Sequence, residues 1–153
     1  MVSERTLRDR LSGEQDRPTV LVVTDRFAGA VIAAELAPTA TVGIVTDTDP
    51  IADRAGDVDA TVGEPTAVET LDAASAADTA NAIVALRSDR RALLAAQLLR
   101  TRFGLDHVVV LIDDPALEDA FEGIATATVP EGSVLAAEAC AQFENSLSVT
   151  HLD

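Results

Sequence analysis

No lysine occurs in the sequence; all 11 basic residues are arginine. This absence excludes a P-loop, whose lysine reaches the phosphates, and any Schiff-base enzyme. It also excludes a tyrosine–lysine reductase pair, and tyrosine is missing as well. A phospho-acceptor receiver domain normally uses a lysine, so that α/β alternative is disfavoured. Cysteine is limited to Cys140, which rules out an intrachain disulfide and a thiolate metal cluster. On an alanine-rich segment, Cys140 reads as a small buried hydrophobe. His107 and His151 are far apart, and neither stands beside a nucleophile–base set. His107, at the start of a strand-like run, reads as structural. No apolar run approaches the roughly 18 residues that span a bilayer. The first 17 residues are polar and charged, unlike a signal peptide. A cytoplasmic protein without direct membrane insertion is expected.

What is abundant is carboxylate. Aspartate and glutamate number 26, giving a formal net charge of −15 over 153 residues. A phosphate backbone needs a basic surface, so nucleic acid is not an expected partner, nor is an anionic membrane. Many carboxylates without lysine suggest a protein adapted to molar salt. At about 1 M salt the Debye length falls to roughly 3 Å and carboxylate repulsion is screened. Hydrophobic residues, chiefly small aliphatics, make up 48% of the chain. A chain of this length can bury roughly 70% of its unfolded surface in one core.

Short apolar runs alternate with helical segments. Val20–Val23, Thr41–Val45, Asp57–Val62, Ala82–Leu86, His107–Ile112 and Ala125–Val129 read as strands. Phe27–Leu36 reads as a helix closed by Pro38, and Thr66–Ala73 as one capped by Thr66. Ser88–Phe103 has Ser88 as its cap and Gly104 as its stop. Asp114–Phe121 is opened by Pro115, with Asp114 as its cap rather than half of an Asp113–Asp114 magnesium site. A last long helix lies within Pro130–Leu147. Continuous apolar strands alternating with helices predict an α/β fold. We expect a Rossmann-like, doubly wound, parallel six-stranded sheet with helices on both faces. The expected organisation is an N-terminal arm over 1–17, helical or disordered, one domain over 18–148, and a tail over 149–153.

Ligands of such sheets bind beyond the carboxyl ends of the strands, where the strand order reverses. The turn after the first strand is Thr24-Asp25-Arg26-Phe27-Ala28-Gly29. Against the pattern G-x-G-x-x-G only Gly29 is glycine. Thr24 and Arg26 replace the residues that make the tight turn and admit a pyrophosphate to the backbone. Arg26 either obstructs the usual dinucleotide pose, holds a phosphate with its guanidinium, or points into solvent. Asp47, in Asp47-Thr48-Asp49-Pro50, lies 18 residues after Gly29. That is near the spacing at which an acid bonds a ribose hydroxyl, though a turn acid at a strand end is the plain alternative.

These stretches together resemble the N-terminal nucleotide-binding domain of the regulators of potassium conductance, the TrkA-type N domain. The resemblance rests on the first turn ending in Gly29, on Asp47–Pro50, and on Val62-Gly63-Glu64-Pro65, where Glu64 replaces the family's aspartate. It rests also on Asn81 through Leu86, Arg87, Ser88 and Asp89, and on Val109 through Pro115. It spans residues 19 to about 145. It implies the strand order 3-2-1-4-5-6 and binding of NAD, NADH, ATP or ADP. Thr24 to Gly29 would face the phosphates, and Asp47 with Asp49, beside Thr48, the ribose. Gly63, Glu64, Leu86, Arg87 and Ser88 would border the base. It further implies a homodimer or higher ring, a last helix crossing to the partner, and a potassium channel or transporter as membrane partner. The family's smaller C-terminal lobe is not represented in these residues.

The functional expectation is therefore a non-enzymatic regulatory domain that senses a nucleotide and acts by dimerising and touching a membrane protein. The alternatives are a Rossmann module that has lost its nucleotide and serves as an assembly surface, and a dinucleotide-dependent oxidoreductase. The last has no substrate domain or catalytic residues to support it.

Overall fold

The computed structural model describes residues 17–151; the expected N-terminal arm lies, but for Arg17, outside the described residues. The chain runs β1 (Thr19–Thr24), α1 (Phe27–Leu36), β2 (Thr41–Thr46), α2 (Asp49–Arg54), β3 (Asp59–Val62), α3 (Val68–Ala73) and β4 (Asn81–Ala85). It continues through α4 (Asp89–Gln97), β5 (His107–Ile112), β6 (Ala127–Pro130) and α5 (Glu131–His151). All six strands are parallel, in the order β3-β2-β1-β4-β5-β6. This is the Rossmann-like, doubly wound sheet that the sequence predicts. The order reverses between β1 and β4, so a crevice opens beyond their carboxyl ends.

Each face of the sheet carries its own core. Leu21, Val23, Val45, Val84, Val108, Val110 and Ile112 pack against Leu71, Ala92, Ala95, Leu99 and Phe121. On the opposite face Val20, Val22, Val42 and Ile44 pack against Ala30, Ala33 and Ala55. Alanines on α1 and α4 let these helices lie close to the branched strand residues. The second face is covered only in part. Its β4–β6 portion, Ile83, Val109, Leu111 and Val129, is half-buried. Among the described residues no helix closes it, because α5 leaves the body: Gly132 through Ser148 are all exposed.

Local chemistry sets the boundaries. Ser88 Oγ accepts the Arg91 N–H at 3.3 Å and caps α4. Asp114 Oδ1 accepts the Ala116 N–H at 2.9 Å and caps the 3₁₀ turn at Pro115–Phe121. The α4 segment widens into a π-turn over Leu98–Arg102 and stops at Gly104, whose φ of +73° suits glycine.

Three expectations are corrected. Thr66 does not cap α3, because Ala67 holds that position and the Thr66 hydroxyl donates to Glu64 Oε1 at 2.8 Å. A helix, α2, stands between β2 and β3 where the sequence suggested none, with Pro50 in its first turn. Cys140 is exposed, since α5 does not pack back on its own sheet. His107 opens β5 and is exposed there.

Candidate functional site

Thr24 ends β1 fully buried. Its Oγ1 donates to the Ala85 carbonyl on β4 at 2.8 Å and accepts the Arg26 N–H at 3.0 Å. The hydroxyl thus performs the turn-making job of a glycine by tying the two strands at the switch point. A Cβ on Gly29 would lie 2.2 Å from Thr24 Oγ1, so the threonine fills the space that only a glycine leaves free. Arg26 has extended backbone just before α1. Its guanidinium pairs with Glu131, the first residue of α5. That contact holds the Arg26 guanidinium above its usual pKa. A cavity of about 410 Å³ lies here, lined by Arg26, Phe27, Ala28, Arg87, Asp113 and Glu131. Phe27 is turned toward α2, with the Arg54 guanidinium 4.9 Å from its ring centre.

Asp25 is the most enclosed carboxylate of the crevice, its side chain 11% exposed. It accepts the Arg87 N–H at 2.9 Å and Arg91 Nη1 at 2.9 Å. Arg91 reaches from the first turn of α4 across the ends of three strands. Its Nη2 meets Glu64 Oε1 at 2.6 Å and stands 3.9 Å from Asp47 Oδ2. One guanidinium therefore joins the acids that follow β1, β2 and β3. Asp47 is the loosest of them, and its Oδ1 accepts the Thr48 hydroxyl at 3.3 Å. Asp49 opens α2 without a described crevice contact. Gly63 N–H donates to Thr46 O at 2.9 Å, and a Cβ there would come within 2.8 Å of Thr70. Leu86 is buried in the core and offers the crevice only its backbone. The Asp89 carboxylate accepts the N–H groups of Asp113 and Asp114 at 2.9 and 3.1 Å, fixing the end of β5.

The sequence reading thus placed the first turn, Asp47 and Glu64 at one crevice. It missed Arg91 and Glu131, which join these parts. Among the described residues no group of three or more metal-ligating side chains occurs, and no helix is long and apolar enough to cross a membrane.

Arg91, and then the Thr66 hydroxyl, hold the Glu64 carboxyl below the usual carboxylate range. A depressed folded value means stability that is present above the ordinary glutamate pKa of about 4.3 and is lost as pH falls through the folded value. We expect Arg91→Gln to cost about 1–2 kcal/mol at pH 7, the partial exposure of the cluster limiting the effect. Urea unfolding should show this gap narrowing as pH falls below about 4. A gap independent of pH would mean that the cluster contributes packing alone.

The parallel sheet, the reversed order and the crevice at the switch point define a Rossmann-like domain. The chain belongs to the TrkA-N domain family, whose model matches residues 18–130. Domains of this family are of the Rossmann NAD(P)-binding type and occur in potassium transport regulators. Two of the similar solved structures are the following. One is the NAD(P)-binding domain of an exopolyphosphatase-related protein from Archaeoglobus fulgidus. It has a TM-score of 0.69 at 18% identity, over 82% of this chain and 97% of that one. The other is the TrkA-N domain of the inner membrane protein ybaL from Escherichia coli, with a TM-score of 0.71 at 15% identity, over 81% and 95%. These likenesses concern the fold. No curated protein matches the chain.

Proposed function

We propose that the domain is a non-catalytic, nucleotide-sensing regulator of a potassium channel or transporter system. The observation that carries this reading is that Arg26, Asp47 and Gly63 follow the carboxyl ends of β1, β2 and β3, beside the switch point of a TrkA-N sheet. In this reading the Arg26 guanidinium meets the ligand's phosphates in place of bare backbone. Asp47, the least tightly held acid, accepts the ribose hydroxyls. Gly63, Glu64 and the Leu86–Ser88 backbone border the base. NAD, NADH, ATP and ADP are the candidate ligands. In this reading the crevice binds its ligand and does not react with it.

The domain is proposed to act as a dimer or higher ring that contacts a membrane partner from the cytoplasmic side. Leu135, Ala139, Phe143 and Leu147 recur at four-residue spacing and form one apolar stripe on α5, exposed along its length. The half-covered β4–β6 face is apolar too. Exchange of α5 between two copies would cover both surfaces in one self-complementary interface. The acidic surface suits work in concentrated salt.

Thermal unfolding in molar KCl with NAD, NADH, ATP, ADP or AMP tests the ligand reading. A nucleotide at 100 times its dissociation constant should add about 2.7 kcal/mol, a rise of roughly 5–10 °C. Asp47→Ala should abolish most of that rise. No shift with any of the five would favour a module that has lost its nucleotide and serves as an assembly surface.

A further inference from the structure

We propose that the Arg26–Glu131 pair is a clasp that a phosphate-bearing ligand opens, releasing the first turn of α5. The inference rests on the nucleotide reading above and adds how the crevice would report its state.

The geometry joins two parts that otherwise share little. Arg26 belongs to the phosphate turn after β1, and Glu131 is 105 residues further on at the start of α5. Both line the same cavity. Glu131 is the first residue of α5, whose next seventeen residues, Gly132 to Ser148, are exposed. The ion pair is therefore a direct side-chain tie between the crevice and α5. Its members are 27% and 14% exposed, so the contact is sheltered but reachable.

A phosphate competes for this arginine on two counts. It matches the planar guanidinium fork as well as a carboxylate does and carries more charge. It also enters a cavity that already holds Glu131 and Asp113, so its arrival repels Glu131 while taking its partner. Arg87, which makes no ion pair among the described residues, lies on the same wall as a second donor. Losing Arg26 leaves Glu131 without a cation, and the start of α5 without that tie. Because α5 carries the apolar stripe, ligand binding and helix placement become thermodynamically linked.

Titration calorimetry and amide hydrogen exchange of the full chain in KCl test this, with NAD, ADP and inorganic pyrophosphate as probes. In the wild type, a bound probe should speed exchange at the amides of residues 135–140. Glu131→Gln should bind the probe roughly two- to fivefold tighter, the worth of a partly exposed ion pair. Its α5 amides should exchange fast already and not respond further. Binding that leaves α5 exchange unchanged, or weaker binding by Glu131→Gln, would overturn the clasp while leaving the nucleotide reading intact. No heat with any probe would overturn both.

Discussion

Gly29→Ala should lower the melting temperature by roughly 6–12 °C, about 3 kcal/mol of lost stability. An added Cβ would sit 2.2 Å from Thr24 Oγ1 and 2.3 Å from its Cβ and Cγ2. Neither side can yield. Thr24 is fully buried and bonded to Ala85 O, while Gly29 is buried in the first turn of α1. Relief requires α1 to move off the sheet, which opens the core under Ala30 and Ala33. The cause can be isolated with Thr24→Gly/Gly29→Ala. Removing the threonine side chain frees the space, so the double variant should recover part of the loss. Differential scanning calorimetry measures both. A Gly29→Ala protein as stable as wild type would show that the turn yields to the added methyl group.

Phe143→Glu should convert the proposed dimer into a monomer. Phe143 is 64% exposed on α5 and lies mid-way along the apolar stripe. An aromatic anchor is worth 2 kcal/mol or more, and a two-fold interface contains it twice. The combined loss of about 4 kcal/mol weakens association by roughly a thousandfold. Facing carboxylates in so acidic a protein add to the cost, most strongly at low salt. Sedimentation equilibrium across micromolar concentrations reads the change. The stripe lies outside the protein's own core, so the variant should still fold. A wild type that is monomeric at millimolar concentration would remove the basis for α5 exchange.

The layout of the sheet was legible because its signals are local. Apolar runs such as Val20–Val23 and Val108–Ile112 have no polar position for a solvent face, so they read as strands buried on both sides. Ser88 and Asp114 cap where their side chains can reach a nearby N–H. Helix α2 was hidden because six residues give too short a period, and its Pro50 resembles a turn signal. Thr66 misled because its hydroxyl had a nearer acceptor in Glu64. Cys140 misled because an alanine-rich helix reads as a core helix, yet α5 stands away from its own sheet.

The candidate site was legible in part. Asp47 and Gly63 follow strands whose order could be foreseen. Arg91 and Glu131 could not be placed, because their partners lie 66 and 105 residues away and depend on the folded crossing. In a chain with 26 acids, an arginine's partner is set by topology and not by spacing.

The most direct test of a nucleotide crevice is amide chemical-shift mapping with NAD or ADP in KCl. The account predicts saturable shifts at residues 24–29, 47–49, 63–64 and 86–88, around the switch point. Shifts confined to the other end of the sheet, near Thr19 and Gly43, or no shifts at millimolar nucleotide, would contradict it.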